Sequence, residues 1–156
     1  SKAYSMTGWR IGYAAGPAKI IGAMKKIQSQ STSNPCSISQ AAATAALDGD
    51  QACVGEMVKA FRERHDWLVA ALNKLPGVDC LNGDGTFYVF PSFQGAIDAT
   101  DGVSTDVEFA EKLLTEAGVA LVPGSAFGCP GHMRLSFATS MDNLQKAVER
   151  LQKALG

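Results

Sequence analysis

Long apolar runs are missing from this sequence, and so is any excess of charge of one sign. Its wholly apolar runs are only a few residues long, far below the roughly 20 residues that span a bilayer. The N-terminus lacks the charged-then-apolar pattern of a secretory signal. Lys and Arg total 14 against 15 Asp and Glu, so no basic surplus points to nucleic acid or anionic lipid. We expect a soluble, cytoplasmic protein with no membrane or nucleic-acid partner.

Cysteine is scarce and scattered. The chain holds four cysteines, without a CxxC pair or a neighbouring pair of histidines: Cys36, Cys53, Cys80 and Cys129. Metal sites and disulfide frameworks need closer or more regular spacing. We therefore predict no metal site and interpret the cysteines as reduced, mostly structural thiols.

The N-terminus opens on Ser1-Lys2-Ala3-Tyr4 without an initiator Met, and its first thirteen residues are typical of a protein interior. With 156 residues, 46% of them hydrophobic, the chain is large enough for one domain-sized core. We expect it to be a fragment of a longer protein.

Hydrophobic spacing divides the first half into a strand and three helices. The apolar run 9–14 is typical of a buried strand. A helix is predicted from Pro17 to the polar stretch 29–35, and a tightly packed Ala-rich helix over 38–47. A long amphipathic helix over about 51–75 is predicted from apolar positions at steps of four and three: Val54, Val58, Phe61, His65, Leu68, Leu72 and Leu75.

The second half alternates strands and helices, which predicts an α/β unit. Three runs are typical of strands: 85–91, 119–123 and 133–138. Thr105 and Glu108 have capping-box spacing, and a last helix follows Ser140. We expect the following residues to face inward: Val107, Ala110, Leu113 or Leu114 and Ala117 in the first helix, and Leu144, Val148, Leu151 and Leu155 in the second. The stretch 94–104 has no periodicity and predicts a surface loop.

Three basic residues carry the strongest indications of chemistry. Lys2, between small residues, is either a solvated surface lysine or an amine that forms a Schiff base with a carbonyl cofactor. Arg10, at the start of the predicted strand, would be half-buried and would then need an anion. Arg134, in an apolar strand, is a solvent-facing edge residue, the partner of an internal acid, or a carboxylate ligand.

Other polar residues have plainer interpretations. His65 falls on the apolar stripe of the long helix and is interpreted as a packed or cap-type histidine. His132 precedes the strand of Arg134, where it is either near a site or, by default, a surface residue. Ser125, in the turn 124–128, lacks the G-x-S-x-G pattern of a nucleophile elbow.

The N-terminal block, Ser1 to Tyr13, resembles the lysine segment of class I aminotransferases of pyridoxal phosphate (PLP) fold type I, the aspartate aminotransferase-like family. Further blocks in the family's order support the resemblance, which covers essentially the whole chain: Ser33-Asn34-Pro35, Gly85 to Pro91, Val122 to Gly128, and Arg134 to Ser140.

The resemblance implies a role for each candidate residue. Lys2 would form the Schiff base with pyridoxal 5'-phosphate and move a proton at the substrate α-carbon. Arg10 would pair with the cofactor phosphate, Arg134 would hold the substrate α-carboxylate, and Phe87 would pack near the substrate. The stretch 32–35 would approach the partner subunit's cofactor, which implies a homodimer.

The implied fold is α/β. Residues 1–50 would end the large PLP-binding domain, 51–75 would be a linking helix, and 76–156 would form a small C-terminal α/β domain with a short mixed sheet. Other cofactor ligands of the family, including the Asp at the pyridine nitrogen, precede the lysine. We therefore expect the 156-residue chain to be inactive by itself.

The implied activity of the full-length protein is amino transfer between aspartate and 2-oxoglutarate. No Arg lies between Arg10 and Arg62 to hold a second substrate carboxylate, although some bacterial members supply that residue from upstream. The alternatives are an alanine, aromatic or kynurenine aminotransferase, or a non-catalytic α/β dimerisation module.

Overall fold

The computed structural model describes all 156 residues and divides them into two compact units, Ser1–Val58 and Lys59–Gly156. The chain is α/β, with six α-helices and a small three-stranded sheet. None of the helices combines the length and apolar character that a membrane span requires.

The first unit is helical. It contains α1 (Ala18–Ser31), α2 (Ser37–Asp48) and the first turns of α3 (Ala52–Leu72). Pro17 is the N-cap of α1, and Gly49 ends α2, so both predicted helices are confirmed. The predicted tight packing of α2 is wrong, because Ser39 is its one buried residue.

The predicted buried strand over 9–14 is also wrong. These residues adopt no regular structure, and Trp9 and Tyr13 are 46% and 83% exposed. A strand must pair its backbone N–H and C=O groups with a neighbour. The first unit contains no other strand, so the apolar run stays extended and unpaired.

The apolar stripe of α3 is buried only from its middle onward. Val58 is 57% exposed, whereas His65, Leu68 and Leu72 are buried in the second unit. The helix ends at Leu72, three residues before the predicted end, and single turns carry the chain to Pro76.

The sheet of the second unit has the order β1-β3-β2, with β1 at Tyr88–Val89, β2 at Val122–Pro123 and β3 at Met133–Ser136. Both pairings are antiparallel, so the expected mixed sheet is wrong. The short connection 124–132 explains the β2–β3 pairing, because parallel neighbours need a crossover of about a dozen residues or more. Arg134 faces Val122 in the register, on the central strand.

Helix α5 (Asp106–Lys112) begins with the predicted capping box and continues as a π-helical turn, Leu113–Ala117. Ala110 and Leu113 are buried as predicted, but Val107 is 52% exposed and Phe109 is buried instead. Positions 109, 110 and 113 share one helix face, and position 107 lies at the edge of that face, next to position 110. Gly118, at φ 64, ends the turn in the left-handed conformation.

The predicted surface loop 94–104 contains a short helix, α4 (Gln94–Asp98), whose Ala96 and Ile97 are buried. Five residues are too few to show a helical period, so no local pattern predicts this helix. Gly77, at φ +70, lies against α4 and accepts the N–H of Ala96 at 3.1 Å. A Cβ at Gly77 would collide with the Gly95–Ala96 backbone, so only glycine fits.

Helix α6 (Met141–Leu155) confirms its predicted spacing, with Leu144, Val148 and Leu151 buried and Leu155 partly buried. Ser140 caps it by accepting the N–H of Asn143 at 3.2 Å. The most deeply buried residues of the second unit come from α3, α5, α6, β3 and the segment before α4: Leu72, Phe109, Leu151, Met133 and Phe93. This single core supports the sheet that carries Arg134.

The capping box predicts a pH-dependent contribution to stability. The Glu108 carboxylate accepts the N–H groups of Ser104 and Thr105 at 2.9 and 3.1 Å, and these bonds, that of Ser104 first, lower its pKa from 4.5. A depressed pKa stabilises the fold above 4.5, and the stabilisation is lost as the pH falls through the folded-state value. Glu108→Ala should therefore lower the melting temperature at pH 7 and change it less near pH 3.

Thermal unfolding at both pH values measures this difference. Glu111→Ala is the matched control, since Glu111 is exposed on the same helix and its carboxylate makes no hydrogen bond. An equal effect of Glu108→Ala at both pH values would contradict the electrostatic explanation.

Candidate active site

Lys2 lies in the first unit, exposed, on a turn formed by the first five residues. The N–H of Met6 donates to the Ser1 carbonyl at 2.8 Å, which closes the turn. The Tyr4 hydroxyl donates to the Gln51 side chain at 2.7 Å and ties the turn to the residue before α3. The backbone that carries Lys2 is therefore held from two sides.

Arg10 follows on the same irregular segment and is exposed, so the expectation that its charge is half-buried is wrong. The reason is that residues 9–14 do not form a strand, so no neighbouring strand packs beside Arg10 and buries it. Its guanidinium donates one hydrogen bond, to the Thr7 carbonyl at 3.2 Å, and no acid pairs with it. Most of its donors are therefore open to an anion.

Arg134 is half-buried on the central strand β3. Two aromatic rings flank its guanidinium, with Phe127 at 4.7 Å and Tyr88 at 5.4 Å from the ring centroids. The lysine–carboxylate ion pairs of the chain are Lys112–Glu116 and Lys146–Asp142, and Arg134 has no acid partner. Two sequence alternatives, an edge position and an internal acid partner, are therefore wrong.

This arrangement leaves a cation held in place by π-faces with its hydrogen-bond donors unused. Cation–π contacts stabilise a guanidinium without occupying its N–H groups. A planar guanidinium in that state is suited to bidentate binding of a carboxylate.

Phe87 lies in the second unit, as Arg134 does, and packs against its core. Its ring meets Tyr88 edge-on at 5.4 Å, and Tyr88 in turn contacts the guanidinium. The Phe87 carbonyl accepts the N–H of Phe137 at 2.9 Å, which anchors it to the end of β3. The Tyr88 ring thus lies between Phe87 and Arg134 in one unit, while Lys2 and Arg10 belong to the other unit.

Sequence reasoning missed two aromatic neighbours and one positioning acid of this site. Tyr88 and Phe127 were not singled out, because nothing local marks a ring that will meet an arginine elsewhere in the chain. Asp106 is 4% exposed and accepts the N–H of Ser125 at 2.6 Å, which fixes the turn that carries Phe127. The two residues are 19 apart, so no short-range pattern reveals the contact.

His65 is buried, and its interpretation as a packed histidine is confirmed. Its Nε2 accepts the N–H of Gly83 at 3.2 Å, while Nδ1 lies 2.9 Å from an Asp66 oxygen. Because Nε2 accepts, the ring hydrogen is on Nδ1, which donates a hydrogen bond to the Asp66 carboxylate. No three metal-ligating side chains converge anywhere in the structure.

Comparison with known proteins identifies a family whose match includes all of the candidate site residues. The family model described as "Aminotransferase class I and II" matches residues 1–151. An aspartate/prephenate aminotransferase of Nitrosomonas europaea is 58% identical over 99% of this chain and 40% of its own length. An aspartate aminotransferase of Geobacillus stearothermophilus is 52% identical over 98% of this chain and 39% of its own length.

Solved structures show the same likeness. The aspartate aminotransferase of Rhizobium meliloti superimposes with a TM-score of 0.88 at 46% identity, over 98% of this chain and 39% of that one. An aromatic aminotransferase of Pyrococcus horikoshii gives the same TM-score at 37% identity, over 99% of this chain and 41% of that one. The chain thus spans about 40% of the length of the curated relatives named above. On the match over residues 1–151, this chain belongs to the aminotransferase class I and II family.

Proposed function

We propose that the whole protein carrying these residues is a PLP-dependent aminotransferase that moves an amino group between aspartate and 2-oxoglutarate. The observation that carries the proposal is Arg134, a half-buried guanidinium with no acid partner, within a family match over residues 1–151. The names of the relatives support aspartate as a substrate.

The residues present fit pyridoxal 5'-phosphate. Lys2 supplies an amine that can bond the aldehyde carbon, and Arg10 supplies open donors for the phosphate. When bound, the cofactor withdraws electrons from the substrate α-carbon. The amine of Lys2 then removes and returns the proton at that carbon.

Arg134 binds the substrate α-carboxylate through two parallel N–H donors, and the rings of Phe127 and Tyr88 hold the guanidinium plane in position. Phe87, whose ring meets that of Tyr88 edge-on, packs near the substrate. The substrate carboxylate supplies the charge partner that Arg134 lacks within the chain. Pairing with this half-buried guanidinium therefore favours substrate binding.

The domain assignment belongs to the same proposal. Residues 1–50 are the end of the large cofactor domain, 51–75 the linking helix and 76–156 the small domain. The protein acts in the cytoplasm as a homodimer in which the stretch 32–35 approaches the partner's cofactor. The separate core of the second unit is consistent with a small domain that folds around its own sheet.

Steady-state assays of the whole protein test the activity. Aspartate with 2-oxoglutarate should give the highest kcat/KM among aspartate, alanine, phenylalanine and kynurenine donors. Prephenate is a second acceptor to test, since the relative from Nitrosomonas europaea is named for it. No transfer from any donor would support the non-catalytic module, and preference for an aromatic donor would replace the substrate assignment.

Phe127 provides a prediction specific to the arginine site. Phe127→Leu removes the ring under the guanidinium, and a cation–π contact is worth about 0.5–2 kcal/mol. We expect KM for aspartate to rise about three- to tenfold with kcat little changed. Phe127→Tyr is the control, because it keeps the ring and should keep the wild-type KM. An unchanged KM in Phe127→Leu would show that the ring does not contribute to substrate binding.

A further inference from the structure

A cysteine and a histidine that have no part in the proposed amino transfer lie side by side before β3. The Cys129 sulfur is 3.3 Å from His132 Nδ1, and both side chains are partly exposed. The two residues belong to the connection between β2 and β3, whose first turn carries Phe127.

The backbone holds this pair in place. The N–H of Cys129 donates to the Gly124 carbonyl at 3.0 Å, and the N–H of Gly124 donates to the His132 carbonyl at 2.7 Å. A Cβ at Gly124 would collide with both the Cys129 and His132 carbonyl oxygens. These two hydrogen bonds fix the backbone of the connection around Gly124, and only glycine fits at that position.

The surroundings of the imidazole suit it to accept a proton from the thiol. Its ring stacks on Phe90 at 5.2 Å with an interplanar angle of 25°, which fixes its orientation. The Pro130 carbonyl is also 3.3 Å from Nδ1. Once Nδ1 takes the thiol proton, that carbonyl can accept the new N–H. A nucleophile, a base and a group that orients the base are the parts of an activated nucleophile.

We propose that Cys129 and His132 form an activated thiol that is a modification site for low-molecular-weight disulfides. The thiol proton passes to Nδ1, and the sulfur attacks one sulfur of the disulfide. The new S–S bond forms as the old one breaks, and the departing thiolate takes up the proton. A second thiol reverses the reaction by the same exchange.

The other three cysteines lack this arrangement. Cys80 is buried, and burial raises its pKa to about 11. Cys53 is exposed without an imidazole partner. Cys36 is exposed, and the backbone N–H groups of Ser39 and Ile38 lower its pKa, so it should also react, but independently of His132. Cys53 and Cys36 therefore serve as internal references.

Peptide mapping of the chain after timed exposure to hydroxyethyl disulfide at pH 7 tests the pair. Cys129 should be modified faster than Cys53. In His132→Phe, which keeps a ring on Phe90, the Cys129 rate should fall about tenfold or more, the low end of general-base effects. The Cys36 rate should not change.

Circular dichroism checks that the variant folds, and His132→Gln is the second variant if it does not. In urea, which unfolds the chain and separates Cys129 from His132, the wild-type Cys129 should be modified no faster than Cys53. A Cys129 rate that is unchanged in both variants, or slower than that of Cys53 in the folded wild type, would overturn the proposal.

Modification should also reach the arginine site, and this consequence rests on the proposed function. A group on the Cys129 sulfur would crowd the His132 ring 3.3 Å away, which stacks on Phe90. The Phe90 ring meets Phe127 edge-on at 6.0 Å, and Phe127 supports Arg134. In the whole protein, modification should raise KM for aspartate, a thiol should restore it, and Cys129→Ser should be insensitive. Because labelling needs no activity, failure of the aminotransferase proposal leaves the first test valid.

Discussion

Lys2→Ala in the whole protein is expected to lower kcat for amino transfer by about 1,000-fold, within the range that a positioned proton-transfer group contributes. The variant loses both the amine that bonds the cofactor and the group that moves the α-proton. The turn that carries Lys2 is closed by backbone bonds and by Tyr4, neither of which needs the lysine side chain. The loss should therefore appear in kcat without a matching loss of stability.

Lys19→Ala is the matched control, because Lys19 is an exposed lysine on α1 with no proposed role. It should keep the wild-type rate. A Lys2→Ala enzyme with wild-type kcat, or an equal loss in both variants, would be incompatible with the role of Lys2.

Arg134→Leu is the second large effect, an expected drop of about 100- to 10,000-fold in kcat/KM for aspartate. It removes two charge-assisted hydrogen bonds to the carboxylate, each worth about 1.5–3 kcal/mol. Arg134→Lys keeps the charge but not the planar fork, so its loss should be smaller. Steady-state kinetics with varied aspartate measure both.

Arg62→Lys is the control for this series, since Arg62 is exposed on α3. If Arg134→Lys matched the wild type, a point charge would suffice and the bidentate role would be wrong. If all three variants lost activity together, the cause would be the fold and not the carboxylate site.

Local signals predicted much of the helical structure. The capping box at Thr105 and the spacing of α6 were both confirmed, because each depends on residues within a few positions of one another. The long helix α3 was also confirmed, with its end displaced by three residues.

The failures depend on partners elsewhere in the chain. The apolar run 9–14 has the composition of a strand but no neighbour to pair with in its unit. Strands β2 and β3 pair antiparallel because the connection 124–132 is short, and a strand pattern alone does not give direction. Helix α4 was missed because it is shorter than two turns.

The candidate site divides in the same way. Lys2, Arg10 and Arg134 were found from the sequence blocks around them, whereas the environment of Arg134 was not. Tyr88 and Phe127 come to Arg134 from β1 and from the turn after β2, so only the folded sheet shows that rings, and not an acid, surround the guanidinium.

In the proposed function, Lys2 is the lysine that holds the cofactor, and chemical trapping tests this role directly. The whole protein, loaded with pyridoxal 5'-phosphate, is reduced with borohydride, digested and mapped by mass spectrometry. We expect one dominant pyridoxyl-modified peptide with the label on Lys2, and none at that site in Lys2→Ala. A label on another lysine, or one scattered over exposed lysines such as Lys19 and Lys25, would contradict it.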